Sequence, residues 1–357
     1  MLAAPAAAGP WSGAEDVLHP EDPAIPGFTG PAGPGVAEPP NAPNPAFAFF
    51  ADRVVAYEPA PGVDPQFGDP ERALGPPTGS HDDSVSLGDL GPEELAAGLP
   101  PGSITLGFPA PITDGPGPDF AVFENGFPVG SGFFGELAFV EVSSNGVDFA
   151  RLPSRSLTPE AVGPFGLIDA TEVFGLAGKH TNAGGLSFGT PFDLADLRNH
   201  PLVGAGRLDP TRVVLVRLVD VPGSGDFADG AGAPVYDPWP TSSSGGFDLD
   251  AVGVLHTTAC ANGVDDDGDG AIDLADPGCR DPGWPTESPA CANGVDDDGD
   301  GGIDWDGSGA GAPDPECLDR PWRRTERACG LGAELVLLLP LFGWLRRRWL
   351  TARRSRW

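Results

Sequence analysis

The chain has few basic residues for its length, and this scarcity limits the partners that it can bind. Lysine and arginine number 20 against 52 acidic residues, which gives a formal net charge of −32 over 357 residues. Binding to nucleic-acid phosphates requires a basic footprint, but half of the basic residues lie from Arg320 onward. We therefore exclude nucleic acid as a partner.

The sequence also lacks a phosphate-binding GxxxxGK[ST] loop and an HExxH zinc motif. Its five histidines are scattered without metal-ligand spacing, and only His180, beside Lys179, is a candidate general base. Glu124 and Asp248 would suit a glycosidase if their carboxyl groups were about 5–10 Å apart. A secreted glycan-active hydrolase is thus the less favoured alternative, and we expect a protein that is not an enzyme.

Glycine (53) and proline (43) exceed a quarter of the chain, which disfavours helices. The 20 Phe and 8 Trp nevertheless occur in clusters, which indicates a packed β-rich core rather than disorder. Short runs rich in Val and Phe, bounded by turn residues, predict strands; they are 52–57, 103–108, 119–125, 137–144, 147–153, 212–220 and 247–255. We predict an all-β fold with a jelly-roll or β-sandwich domain.

The predicted organisation has five parts. Residues 1–45 are a flexible leader, 46–257 the β-sandwich, 258–288 and 289–320 two acidic repeats, and 321–357 a C-terminal tail with a hydrophobic helix. The leader begins with small residues like the end of a secretory signal but lacks the basic start and apolar run. We expect the true start to lie upstream; the alternative is that there is no such signal.

The string CANGVDDDGDG occurs at 260–270 and again at 291–301. With Asp265 as the first position of a twelve-residue loop, the oxygen ligands follow the spacing of a calcium loop, with Gly270 at the sharp turn. The first predicted ligand set is Asp265, Asp267, Asp269, the Ala271 carbonyl, Asp273 and Asp276. The second is Asp296, Asp298, Asp300, the Gly302 carbonyl, Asp304 and Asp314, with Asp306 as an alternative to Asp314.

These loops resemble the helix-poor calcium loops of thrombospondin type 3 repeats, because Cys, Pro and Gly stand where EF-hand helices would be. An acidic linker that binds no ion is the alternative. Cys260 and Cys279 bracket the first loop, and Cys291 and Cys317 bracket the second. Four cysteines allow three pairings; the local one closes each loop. Such disulfides would place the chain in an oxidising compartment.

The tail CGLGAELVLLLPLFGWLRRR (329–348) combines Cys329, an apolar run of about 15 residues and an arginine cluster. It resembles PEP-CTERM-like sorting tags, and most closely the MYXO-CTERM variety. The resemblance implies removal of the tail by a membrane sorting protease, processing at Cys329 and display at the surface of a Gram-negative bacterium. An ordinary membrane anchor is the alternative.

The stretches FAVFENGF (120–127), 136–153, 177–185 and 244–255 resemble a family of bacterial secreted cell-surface proteins with galactose-binding-like jelly rolls. The resemblance implies binding of glycans or surface matrix; a purely structural envelope protein is the alternative. Acidic groups on apolar strands need partners, and aromatic rings suit sugars. The candidate metal or ligand site of the sandwich comprises Glu124, Asn125, Asp248, Asp250, Tyr236 and Trp239.

Overall fold

The structure, a computed structural model, describes residues 8–130, 132–241, 245–309 and 311–326. The chain forms two compact units, Met1–Glu287 and Ser288–Trp357. The first acidic repeat therefore belongs to the same unit as the β-domain, whereas we expected each repeat to be separate. The second repeat lies in the other unit.

Strands predominate in the described residues. The first nine are β1 (Ile25–Pro26), β2 (Phe28–Thr29), β3 (Ala42–Pro43), β4 (Phe49–Phe50), β5 (Arg53–Glu58), β6 (Val85–Ser86), β7 (Ser103–Ile112), β8 (Phe120–Glu124) and β9 (Phe127–Val129). The other eight are β10 (Gly132–Phe134), β11 (Ala138–Ser143), β12 (Ala150–Arg151), β13 (Arg155–Ser156), β14 (Val173–Phe174), β15 (Phe188–Phe192), β16 (Val213–Asp220) and β17 (Asp248–Val254).

Helices are few and short, as the glycine and proline content predicts. The α-helices are α1 (Pro92–Ala96) and α2 (Pro201–Gly204). Single 3₁₀ turns occur at Pro65–Phe67, Pro70–Ala73, Ala170–Glu172, Leu194–Leu197, Pro210–Arg212, Ala259–Ala261, Asp273–Ala275, Ala290–Ala292 and Gly307–Gly309. No helix among the described residues is long and apolar enough to cross a membrane. The apolar run of the predicted tail lies outside those residues.

Two larger antiparallel sheets form the β-domain. One has the order β1-β15-β8-β17-β4, with β6 also paired to β17, and the other has the order β12-β11-β16-β7-β5. The main hydrophobic core draws Phe120 and Val252 from the first sheet and Leu106, Val140 and Leu218 from the second. The predicted β-rich class is therefore confirmed, and the described residues show the two sheets sharing one core.

Strand β11 shows how the alternation of side chains is used. Ala138, Val140 and Val142 enter the main core, whereas Phe139 belongs to a second cluster. On that second face Glu141 accepts hydrogen bonds from Arg151 and Arg217. A strand between two packed layers is buried on both faces, so its one charged residue needs these guanidinium partners.

The N-terminal segment differs from the flexible leader that we expected. Ile25 and Pro26 pair with Gly189 and Phe188 at the edge of the first sheet, and the Trp11 ring lies 5.8 Å from that of Phe174. Proline restricts the unfolded chain, so ordering a proline-rich segment costs less entropy. The described part of the leader thus covers an edge of the sheet.

Candidate metal centres

The first acidic loop is shaped by its own backbone amides. Asp265 accepts hydrogen bonds from Gly268 N (2.7 Å) and Gly270 N (3.0 Å), and Asp269 accepts one from Ala271 N at 2.8 Å. Gly270 has φ +95°, a conformation that favours glycine. The turn brings carboxylate oxygens of Asp265, Asp267 and Asp269 within 4.8 Å of one another.

A second group of three carboxylates adjoins the first. Oxygens of Asp267, Asp276 and Glu287 also lie within 4.8 Å of one another. Asp276 is 3% exposed, and its buried Oδ2 has no hydrogen-bond partner among the described residues. An ionised, unpartnered buried oxygen is costly, and a hard cation would satisfy it. The predicted ligands Asp265, Asp267, Asp269 and Asp276 therefore form one cluster with Glu287.

Glu287 was missed by the sequence analysis, although its placement is specific. Its Oε2 accepts a hydrogen bond from Asp266 N (2.6 Å) and its Oε1 one from Asp273 N (2.7 Å). The residue is 2% exposed. Both oxygens are therefore held toward the loop, where a bidentate glutamate would stand in a calcium site.

The second loop repeats this arrangement in the other unit. Asp296 accepts from Gly299 N (2.7 Å), and Asp300 accepts from Gly302 N (2.7 Å). Oxygens of Asp296, Asp298 and Glu326 lie within 4.8 Å of one another.

Asp314 is the counterpart of Asp276, since each stands three residues before the closing cysteine. Asp314 is fully buried, and its Oδ2 finds no hydrogen-bond partner in the part of the chain that the structure describes. Its carboxylate also lies within 4.8 Å of Glu326. Burial raises the pKa of Glu326, and the charges of Asp297 and Asp314 raise it further. Of the two alternatives for the last acidic ligand, the geometry favours Asp314 over Asp306.

Two of the predicted ligand residues also accept hydrogen bonds from backbone amides of their own repeat. Asp273 and Asp304 have left-handed backbones with φ +50°. Asp273 accepts from Gly263 N (3.1 Å) through both oxygens, and Asp304 accepts from Asn293 N and Gly294 N. These carboxylates brace the start of each loop. Ligation by the carbonyls of Ala271 and Gly302 stays a prediction.

The predicted local disulfides are confirmed. Cys260 is bonded to Cys279 and Cys291 to Cys317, each with a Cα–Cα distance of 5.5 Å. All four thiols are therefore unavailable as metal ligands, and the oxygen groups alone define each site. Cys329, the predicted processing residue, lies outside the described residues.

Three of the six residues predicted for the sandwich site lie next to one another in the β-domain. Glu124 ends β8, and Asp248 begins β17 beside it. Asn125 Nδ2 donates to Asp248 Oδ2 at 3.0 Å, and Gly126 N donates to Glu124 Oε2 at 2.8 Å. The structure therefore brings Glu124, Asn125 and Asp248 together, and their role as a metal or ligand site stays a prediction.

The other three predicted residues have different contacts. Asp250 accepts from Thr78 N (2.9 Å) and from Asn182 Nδ2 (2.9 Å), and so holds two loops; burial raises its pKa to about 6. Trp239 Nε1 donates to the Leu90 carbonyl at 2.8 Å and pins its loop. Tyr236 packs beside Gly225.

A cavity of about 500 Å³ opens beside Asp248 and Glu136. Its lining combines aromatic rings with polar groups: Phe67, Phe127, Phe134, Phe165, His81, Asp82, Asn125, Thr241, Glu136 and Asp248. Rings of Phe127 and Phe134 stack at 5.3 Å. Such a mixture of apolar walls and few polar groups is typical of ligand sites.

Three buried acids near this cavity were not singled out from the sequence: Glu136, Asp220 and Asp237. Each adjoins an apolar run, which is the signal that identified Glu124. Burial raises the pKa of Glu124, Glu136, Asp220 and Asp237 well above their usual values, and the neighbouring carboxylates raise it further. Burial raises the pKa of Asp248 to about 7.

The string GLSFG (185–189) matches the GxSxG pattern of serine hydrolases. Ser187 is fully buried and leads directly into β15, rather than standing on an exposed strand-to-helix turn. Its Oγ has no hydrogen-bond partner among the described residues. The geometry therefore does not assemble a nucleophile with a base at this motif.

His180 is also inaccessible to substrate, with 1% of its surface exposed. Its Nε2 lies 3.1 Å from Ser12 Oγ and its Nδ1 lies 3.2 Å from Thr190 Oγ1. This arrangement suits a buried packing contact better than a general base.

No protein-family model matches the sequence, and none of the curated proteins compared with it matches.

Proposed function

We propose that the chain is a non-catalytic, calcium-stabilised cell-surface protein. One observation supports the calcium sites most strongly: the unpartnered buried oxygens of Asp276 and Asp314, each aimed into a cluster of carboxylates. The ligand set is oxygen only, since the nearby cysteines are disulfide-bonded. Hard oxygen donors in a flexible loop favour Ca²⁺ over softer metals.

Calcium titration of the full chain by calorimetry tests this proposal. Glu287→Gln and Glu326→Gln should each weaken one site by at least about tenfold, because each removes a charged ligand. Glu71→Gln and Glu93→Gln are matched controls, since both are exposed glutamates of the β-domain and lie outside the two acidic repeats.

Both control variants should bind calcium like the unchanged chain. If the unchanged chain binds no calcium at millimolar concentration, the repeats are an acidic linker. Equal affinity in all four variants would show that the two glutamates are not ligands.

We further propose that the β-domain is a jelly roll that binds carbohydrate or surface matrix through its cavity. The supporting observation is the cavity wall of phenylalanines with adjoining amide, hydroxyl and carboxylate groups. Phe165 lines the cavity and is 90% exposed, as a ring available for stacking on a sugar would be.

Phe165→Ala should therefore abolish or strongly weaken glycan-array signals without lowering stability, because the ring has little packing to lose. Leu18→Ala, which removes another side chain that is 88% exposed, is the control. An unchanged glycan-array profile for Phe165→Ala would contradict the proposal that this cavity binds glycans.

The disulfides support an oxidising compartment, which agrees with display outside the inner membrane. The proposed route depends on the C-terminal tail, transient membrane anchoring and a sorting protease. A purely structural envelope protein is the alternative if no glycan binds.

A further inference from the structure

Buried carboxylates lie at the end of the β-domain cavity. Glu136 and Asp248 line it and are 4% and 3% exposed, and Glu124 beside them is 2% exposed. In the part of the chain that the structure describes, none of these three forms an ion pair with lysine, arginine or histidine. Several buried like charges without a counterion are unfavourable.

The hydrogen bonds leave part of this negative charge unsatisfied. Glu136 Oε1 accepts from Gly246 N at 2.8 Å, and Asp248 Oδ2 accepts from Asn125. The Ser86 hydroxyl lies beside Asp248 but donates its hydrogen to the Gly245 carbonyl at 3.1 Å. Within the described ranges, Asp248 Oδ1 is therefore left buried without a hydrogen-bond partner.

The backbone holds these groups in place. Leu249 of β17 pairs with Glu124 of β8, and Asn125 N donates to the Asp248 carbonyl at 3.3 Å. Gly246, with φ +82°, directs its N–H at Glu136. Neighbouring strand ends thus hold Glu124 and Asp248, and the Gly246 amide holds Glu136, as a preorganised ion site requires.

We propose that Glu124, Glu136 and Asp248 hold a divalent cation at the floor of this cavity, as a third ion site independent of the two acidic loops. The cavity gives an ion and its remaining water ligands access from solvent. Carboxylate and water oxygens are the ligands that Ca²⁺ and Mg²⁺ take. The competing explanation is that the acids simply retain their protons.

Counting bound calcium on the full chain by equilibrium dialysis and metal analysis separates these explanations. At a free calcium concentration that saturates the unchanged chain but leaves the weakened loop sites empty, the unchanged chain should bind three ions, Glu136→Gln two, and the double variant Glu287→Gln/Glu326→Gln one. Glu93→Gln is the matched control, because Glu93 is an exposed glutamate of α1 that does not line the cavity. It should keep all three ions.

The proposal is overturned if Glu136→Gln binds as many ions as the unchanged chain, or if the double variant binds none. If Glu136→Gln does not fold, the double variant still decides, since its remaining ion can only occupy the cavity. If Glu136→Gln loses one ion while the double variant loses none, the result supports the cavity site and contradicts the proposed role of Glu287 and Glu326 in the loop sites.

Discussion

A buried pair of basic residues ties the N-terminal segment to the β-domain. Lys179 Nζ donates to Asp22 Oδ2 at 2.6 Å and to the Val173 carbonyl at 2.6 Å. His180 lies next to it between Ser12 and Thr190. Burial lowers the pKa of His180 well below 6.5, and the positive charge of Lys179 lowers it further. The folded protein therefore keeps this imidazole neutral.

This burial makes stability depend on pH in a definite direction. Below about pH 6.5 the unfolded chain binds a proton at His180 that the folded chain does not, so stability is lost as the pH falls. The limiting slope for one proton is about 1.4 kcal/mol per pH unit. His180→Gln, which keeps polar contacts to Ser12 and Thr190, should flatten this part of the profile.

Urea unfolding of the unchanged chain and of His180→Gln between about pH 5 and 8 measures how the free energy of unfolding of each depends on pH. Buried carboxylates with raised pKa values change stability with pH in the opposite direction. They are the same in the unchanged chain and in His180→Gln, so their contribution cancels when the two slopes are compared. His81→Gln replaces an exposed histidine and should retain the slope of the unchanged chain. Equal slopes for His180→Gln and the unchanged chain would refute a neutral buried His180.

Single residues also show where the sequence was sufficient and where it was not. The spacing of Asp265, Asp267 and Asp269 predicted a cluster because all three lie in one short loop, whose turn alone brings their side chains together. Glu287 and Glu326 lie beyond the closing cysteines, so only the folded chain brings them back. A Thr-Glu pair follows each repeat, and this recurring pair was the available signal.

At the scale of elements, local patterns predicted what local interactions determine. The Asn145-Gly146 pair is typical of a hairpin turn, and β11 pairs with β12 around Gly146, whose φ is +74°. The acidic loops need no helices because amides within each loop bind its own carboxylates. These elements could be read from sequence since the interacting groups are close in the chain.

Elements that form through distant pairing were not predicted. The strand Ile25–Pro26 forms by pairing with Phe188 and Gly189 at the edge of the sheet. A strand of two residues is too short to show the alternation of apolar and polar residues that predicts a strand. The cavity likewise joins β8, β17 and the segment before β11, with Glu136 and Asp248 more than a hundred residues apart. Their proximity follows from sheet order, which the sequence alone leaves open.

On the scale of the whole molecule, negative and positive charges are concentrated in different regions of the chain. Fifteen aspartates lie between 260 and 320, whereas half of the basic residues lie from Arg320 onward. The acidic region would repel itself without bound cations, and its disulfides require an oxidising environment. A basic segment beside an apolar run favours the cytoplasmic side of a membrane. The proposed export of the body with retention of the tail would satisfy both requirements.

Cys329→Ala tests this division. The proposed route needs processing at Cys329, so the variant should keep its apolar run and arginines and remain in the inner membrane. The run of about 15 apolar residues is short for a stable span of about 20, which suits a temporary anchor. Membrane fractionation and surface labelling of cells measure the outcome, with Thr351→Ala as a tail control. Normal surface display of Cys329→Ala would exclude processing at this cysteine.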